Sequence, residues 1–216
     1  MDILYLGHSS FYIKGSSASV VTDPFEPSSV GIRFPKVAAE IVTISHNHDD
    51  HNKAELVDGV KKVIQGAGEY EVEGVSIIGI SSYHDSKKGQ ERGLNTIYVF
   101  EIDKLRIAHL GDLGHKLDDK TLEEIGDIDV LMIPVGGVYT IGPQEAVFIT
   151  RAIEPRLVIP MHFNSPGLNP KIFSDLKDEN AFVNELGLPV KRQKKLSIKS
   201  NDLSDENGEI VVLDLL

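Results

Sequence analysis

The sequence lacks cysteine, long apolar runs and an excess of positive charge. Without cysteine among its 216 residues, disulfide bonds and thiolate metal ligands are excluded. No apolar run approaches the roughly 20 residues that a membrane-spanning helix needs. Lys and Arg number 22 against 33 Asp and Glu, and the formal net charge is −11. This balance argues against a partner such as nucleic acid, which usually binds to a basic surface.

Composition and length predict one ordinary globular domain. Hydrophobic residues make up 41% and charged residues 25% of the chain, as in typical soluble domains. No linker, repeat or low-complexity segment divides the sequence, so we predict a single domain over residues 1–216. The first six residues carry no basic region ahead of their apolar positions, as a signal peptide would. We therefore expect a cytoplasmic protein without membrane association, and we leave homo-oligomerisation open.

The most informative segment is residues 45–51, Ser-His-Asn-His-Asp-Asp-His, which follows the apolar run at 41–44. Imidazole and carboxylate groups are the usual nitrogen and oxygen ligands of zinc and similar metals. The alternative is a polar loop that is rich in histidine by chance. The H-x-H-x-D-H spacing of this segment favours a metal site over that alternative.

Three later apolar runs also end in a candidate ligand. They lead into His84, Asp112 and His162. Strands of one sheet that end at a common edge bring such side chains together, and random placement of polar residues would not repeat the pattern. We therefore predict one site that gathers these three residues and the segment 45–51.

The H-x-H-x-D-H segment, with the later His, Gly-Asp and His in this order, resembles the metallo-β-lactamase superfamily. The resemblance implies an α+β fold, a four-layer αβ/βα sandwich of two mixed β-sheets flanked by helices. It also implies two divalent metal ions, zinc in the first place, with manganese or iron as alternatives. The first ion would bind His46, His48 and His84, the second would bind Asp50, His51 and His162, and Asp112 would bridge both. Asp50 and Asp112 are the catalytic candidates, and one or the other would take or pass a proton.

Five further residues are candidates for the surroundings of the site. Asp23 either orients a ligand imidazole or merely forms a turn before Pro24. His8 either contacts substrate or is a satisfied polar residue, and His115 lies beyond Asp112 in a loop. The other candidates have similar alternatives: Tyr139 is an oxyanion donor or an exposed loop aromatic, and Arg92, with Lys87 and Lys88, binds an anionic substrate or lies on a solvated loop.

The predicted function is that of a metal-dependent hydrolase. It would use a metal-bridged hydroxide on a small ester, lactone or phosphoester, preferably an anionic one. Residues 7–11, 22–25 and 136–140 resemble the branch that includes ascorbate-phosphate lactonases. A nuclease or cyclic-nucleotide phosphodiesterase, and a metal-binding module without turnover, remain as alternatives.

Helical segments are predicted at 52–56, at 121–125, from Pro143 through Ile153, and from Ser174 to Leu186 with Gly187 as its end. Residues 26–36 are predicted to be a loop.

Overall fold

Two mixed β-sheets packed face to face form the centre of the computed structural model, which describes residues 1–203 and 208–216. The six-stranded sheet has the spatial order β15 (Leu196–Ser197), β1 (Asp2–Gly7), β2 (Ser10–Lys14), β3 (Ser19–Thr22), β5 (Ile41–Ile44) and β7 (Lys62–Gln65). The eight-stranded sheet has the order β14 (Val190–Gln193), β16 (Glu209–Leu213), β13 (Leu157–Met161), β12 (Val130–Pro134), β11 (Leu105–His109), β10 (Leu94–Ile102), β9 (Val75–Tyr83) and β8 (Gly68–Val72). Strands β4 (Val37–Ala38) and β6 (Val57–Asp58) pair separately.

Apolar residues alternate along these strands and produce three hydrophobic layers. In β12, Val130 and Met132 face the other sheet, whereas Leu131 and Ile133 face the outer helices. This period of two is expected for a strand that is buried on both faces. The predicted four-layer αβ/βα sandwich is therefore confirmed.

Helices cover the two sheets unequally. The eight-stranded sheet packs against α2 (Asp119–Ile125), α3 (Pro143–Ile153) and α5 (Glu179–Leu186). The six-stranded sheet is covered mainly by loops, with the short helices α1 (Pro27–Val30) and α4 (Pro170–Phe173). Two 3₁₀ segments, Ala54–Leu56 and Ser200–Asp202, complete the described elements. Within residues 1–203 and 208–216, each helix is too short or too polar to cross a membrane.

Three of the local predictions were wrong. The predicted helix from Ser174 begins only at Glu179, because Asp178 is extended and caps α5 by accepting the N–H groups of Asn180 and Ala181. The backbone of Lys177 instead bonds to two other loops, through Gly136 and Asn164. The predicted helix at 52–56 is only the 3₁₀ turn Ala54–Leu56, and the predicted loop at 26–36 contains α1.

Strand directions determine where the chain can build a site. Strands β3 and β5 are parallel, and β1 runs in the same direction because it pairs with β2, which is antiparallel to β3. In the other sheet, β9, β11 and β13 share one direction by the same reasoning. The carboxyl ends of parallel strands meet at one edge of a sheet, so residues that follow these six strands lie near one another.

Candidate metal centre

Six polar residues each follow one of these strands and converge at one edge of the sandwich. The strands are β1, β3, β5, β9, β11 and β13, and the residues, in the same order, are His8, Asp23, His46, His84, Asp112 and His162. All six are buried. Three of them, His8, Asp23 and His162, have positive φ angles of 57°, 42° and 50°. The left-handed backbone is unfavourable for most residues and clusters at functional sites.

Asp112 lies at the centre of the cluster. Its Oδ2 is 3.2 Å from Nε2 of His51, 3.2 Å from Nε2 of His162 and 3.3 Å from Nε2 of His84. Nε2 of His46 is 4.0 Å away. One carboxylate therefore faces imidazoles that come from both sheets.

The histidines fall into two groups on either side of this carboxylate. The ring centroids of His46, His48 and His84 lie 4.6 to 5.2 Å apart, and His48 is the exposed member. On the other side, ligand atoms of Asp50, His51 and His162 lie within 4.8 Å of one another, together with a nitrogen of His8. The structure thus brings together all seven predicted ligands.

A divalent metal ion fits the atoms that these residues present. Apart from their approach to Oδ2 of Asp112, Nε2 of His46, His51 and His162 have no hydrogen-bond partner among the described residues, and neither does Oδ1 of Asp112. Burying such atoms without partners is costly. Nitrogen and carboxylate oxygen are the donors that zinc and related ions prefer.

Electrostatics in the metal-free chain also favour cation binding. Burial lowers the pKa of His46 to about 3, so its imidazole is neutral and available as a ligand. Burial opposes ionisation of Asp112, but His162 and His51 hold the pKa of its carboxyl group well below the usual value. Burial also lowers the pKa of His51, yet Asp112 and Asp50 together raise it well above the ordinary value. A proton on His51 thus occupies part of the space that a cation would take.

Asp23 holds the ring of His51 in place, as one alternative of the sequence analysis proposed. Its Oδ2 lies 3.0 Å from Nδ1 of His51, which fixes the tautomer and leaves Nε2 facing Asp112. The same carboxylate accepts the backbone N–H of Ser45 at 2.7 Å and its hydroxyl at 2.6 Å. Ser45 also lies 2.9 Å from Nδ1 of His46. Ser45 was missed in the sequence because serine is common next to such loops.

Asn95 is a second residue that the sequence reasoning missed. Its Oδ1 accepts the backbone N–H of Asp112 at 2.9 Å, and its amide donates to Ser82 and Leu110. It is 1% exposed within the apolar strand β10. A buried amide in an otherwise apolar run was the available signal.

A small pocket of about 160 Å³ opens over the metal centre. Arg92, Tyr139, Ile172 and Phe173 line it together with His48, Asp50, His84 and Asp112. The guanidinium carbon of Arg92 lies 5.7 Å from the centroid of the Tyr139 ring. The Tyr139 hydroxyl donates to the carbonyl of Ile172 at 2.8 Å, so this proton is not directed at the metal centre as the oxyanion hypothesis required.

Three other residues that were predicted near the site, His115, Lys87 and Lys88, lie away from the pocket. His115 accepts the N–H of Tyr83 at 3.1 Å, bonds to the carbonyl of Lys116 and lines a different cavity. Lys88 lines that same cavity, and Lys87 is paired with Glu91. Of the three basic residues in this loop, the structure brings Arg92 alone to the pocket.

Asp85 explains how the loop that carries Arg92 keeps its shape. This buried carboxylate accepts the backbone N–H groups of Lys87, Gly89, Glu91 and Arg92 at distances from 2.7 to 3.0 Å. Burial opposes its ionisation, but these four donors lower its pKa to about 2. The loop is therefore fixed from within, with Arg92 directed toward the pocket.

His109, the last residue of β11, lies outside the groups of candidate ligands. It is buried, its Nε2 lies 2.8 Å from the carbonyl of Ser9, and its Nδ1 accepts the N–H of Gly111. Its two ring nitrogens therefore connect the loop that contains Ser9 to the loop that contains Gly111.

Comparison with known proteins agrees with this geometry. The model of the beta-lactamase superfamily domain matches residues 2–162. A UPF0173 metal-dependent hydrolase from Thermococcus onnurineus is 31% identical over 214 residues, covering 85% of this chain and 95% of the relative. A similar relative from Pyrococcus abyssi is 30% identical with the same coverage.

Solved structures give the same assignment. A structure from Thermotoga maritima assigned to the metallo-beta-lactamase superfamily has a TM-score of 0.80 and 35% identity, and 98% of each chain is covered. The hydrolase Igni18 from Ignicoccus hospitalis shares the fold, with a TM-score of 0.66 and 19% identity over 99% of this chain and 94% of that one. The chain therefore belongs to the metallo-β-lactamase superfamily, and it is an enzyme of the metal-dependent hydrolase class.

Proposed function

We propose that residues 1–216 form one hydrolase domain with a binuclear metal centre. His46, His48 and His84 would hold one ion, Asp50, His51 and His162 the other, and Asp112 would bridge them. The position of Asp112 Oδ2, 3.2 to 3.3 Å from imidazole nitrogens of both groups, is the observation that carries this proposal. Zinc suits a set of five imidazoles and two carboxylates without sulfur, and manganese or iron are alternatives.

Asp112 and Asp50 have different roles in the proposed hydrolysis. When bound, the ions supply an activated water and a Lewis acid for the oxygen that gains charge. Asp112 is buried and surrounded by imidazoles, so its role is to hold the centre together. Both carboxylates line the pocket, but 23% of the Asp50 side chain is accessible against 2% of the Asp112 side chain. We assign proton transfer with solvent or leaving group to Asp50.

The pocket supports a small anionic substrate. Two divalent ions carry four positive charges, whereas Asp50 and Asp112 return two, so the centre stays cationic after ligation. Arg92 adds a guanidinium to the pocket lining, suited to a carboxylate or phosphate. The acidic remainder of the chain, −11 in total, repels long polyanions. This combination favours small phosphorylated or carboxylated esters or lactones over nucleic acid.

The size of the site supports a substrate that extends beyond the metal centre. Its pocket of about 160 Å³ is smaller than common ligand sites. A neighbouring groove of about 450 Å³ shares His48 and Arg92 with it. The groove is lined by the uncharged side chains of Asn47, Gln65 and Thr96 among others, and carries no carboxylate. We propose that an uncharged part of the substrate lies there.

The test is a panel of small esters, lactones, phosphomonoesters and phosphodiesters with metal-loaded and chelator-treated protein. We expect two ions per chain by elemental analysis and hydrolysis of an anionic ester or lactone that depends on metal. Asp112→Asn should lose both, whereas His115→Ala, outside the site, should lose neither. Hydrolysis of RNA or cyclic nucleotides alone would favour a phosphodiesterase, and metal binding without turnover a non-catalytic module.

A further inference from the structure

His8 has an unusual position beside the second group of ligands. It follows β1, is fully buried, and has a left-handed backbone with φ of 57°. Its ring lies against those of His162 and Phe173, with centroids 4.2 and 4.9 Å apart. An imidazole held this firmly keeps its nitrogens in fixed directions.

The side chain of His8 contacts Asp50. Nε2 of His8 lies 3.2 Å from Oδ2 of Asp50. Within residues 1–203 and 208–216, this is the one hydrogen bond that the Asp50 carboxylate makes, whereas Asp23 accepts several. Asp50 also sits on a turn, and Nε2 of His51 lies 3.7 Å from the same Oδ2, beyond hydrogen-bond distance. The hydrogen bond that sets the direction of this carboxylate is therefore the one from His8.

The backbone of His8 contacts another ligand of the same group. Its carbonyl accepts the N–H of His162 at 2.9 Å and the hydroxyl of Tyr5 at 2.9 Å. His162 itself has a φ of 50°. One residue thus links β1 of the six-stranded sheet to two predicted ligands, one through its ring and one through its carbonyl.

We propose that His8 is the positioning residue of the second metal site. Its Nε2–H donates to Oδ2 of Asp50 and leaves Oδ1 for the ion, while its carbonyl fixes the backbone of His162. The proposal rests on the binuclear centre proposed above. His8 as a direct ligand is the competing arrangement, because its nitrogen lies in the same group of atoms as the ligands of this site.

Two substitutions separate these roles. His8→Gln keeps an N–H donor at similar reach, and His8→Leu removes it. Neither side chain is branched at Cβ, so both bear a similar cost for the left-handed backbone. The carbonyl of residue 8 is unchanged in both. The comparison between them therefore isolates the hydrogen bond to Asp50.

The readout is the dissociation constant of each Zn²⁺ ion, measured by competition with a chromophoric chelator. We expect His8→Leu to weaken the second ion about 10- to 100-fold, as substitution of residues behind metal ligands commonly does. The first ion, on His46, His48 and His84, should change less than about twofold, and His8→Gln should stay within a few-fold of the parent for both ions. An unchanged second constant in His8→Leu, or equal losses in both variants, would overturn the positioning role.

A measurement on the unaltered protein covers the case in which a variant does not fold. In long-range ¹H–¹⁵N spectra of the Zn²⁺-loaded chain, Nε2 of His8 should keep its proton. Loss of that proton would identify His8 as a ligand and refute the proposal. If the parent binds a single ion, the binuclear centre itself fails. If it binds two and His8→Leu binds them equally well, only the role of His8 fails.

Discussion

Replacing Arg92 by Gln should selectively impair hydrolysis of anionic substrates. Arg92 lines the pocket over the metal centre, and its backbone N–H is held by Asp85 at 2.8 Å. A hydrogen bond to a charged group contributes about 1.5–3 kcal/mol. Since about 1.4 kcal/mol corresponds to a factor of ten, kcat/KM for an anionic ester should fall about 10- to 150-fold. A neutral ester of the same size should change less than about threefold.

The same loop provides a matched control. Lys87 is paired with Glu91, and Lys88 lines another cavity, so the double variant Lys87→Gln/Lys88→Gln removes more charge than Arg92→Gln without touching the pocket. It should leave both substrates within about twofold of the parent. Arg92 and Tyr139 are both partly buried, so their stacking contributes about 1 kcal/mol, and thermal stability should change little.

Two results would refute this reasoning. Equal losses for anionic and neutral esters would mean that Arg92 maintains the shape of the pocket and does not bind charge. An equal effect of the lysine pair would mean that the loop acts through its overall field, which added salt should then screen. Steady-state kinetics with both substrates at two ionic strengths distinguishes these outcomes.

Three further predictions concern the metal centre and its support. Asp112→Ala should lose metal together with activity, whereas His109→Ala should lower the melting temperature but keep its metal, as elemental analysis of the folded fractions will reveal. Asp85→Asn should speed hydrogen exchange at the four backbone amides that this carboxylate holds and raise KM for anionic substrates, whereas Asp118→Asn, at the cap of α2, should not affect KM. Because His51 has a raised pKa in the metal-free chain, a bound ion must displace its proton. Affinity for that ion should therefore fall about tenfold for each pH unit below this pKa, as calorimetric titrations at several pH values can test.

The positions of the candidate ligands could be predicted because they follow strands whose apolar sequences are recognisable. His84, Asp112 and His162 each come after such a run, and strand direction then brings them together. Asp23 was predictable for the same reason, at the end of β3. The fold class was predicted through the resemblance to the metallo-β-lactamase superfamily, and short strands interrupted by a few helical segments fit two packed sheets.

The apolar part of the pocket lining could not be predicted. Ile172 and Phe173 reach the pocket from α4, and only the packing of that short helix on the six-stranded sheet brings them there. The late start of the predicted helix, at Glu179 and not at Ser174, has a similar origin, because bonds between Lys177 and two distant loops override local helix propensity. The direction of Arg92 depends on four backbone bonds to Asp85, which no periodic pattern reveals.

The origin of the two ligand groups has a mechanical consequence for the whole molecule. His46 and His48 extend from the six-stranded sheet, whereas His84 extends from the eight-stranded sheet, and the second group is divided in the same way between His51 and His162. Each ion would therefore be a removable cross-link between the two sheets at one edge of the sandwich. The free energy of unfolding rises with the concentration of free metal, because the ions bind the folded state. The metal supply of the cell would therefore set how tightly the two sheets are held together.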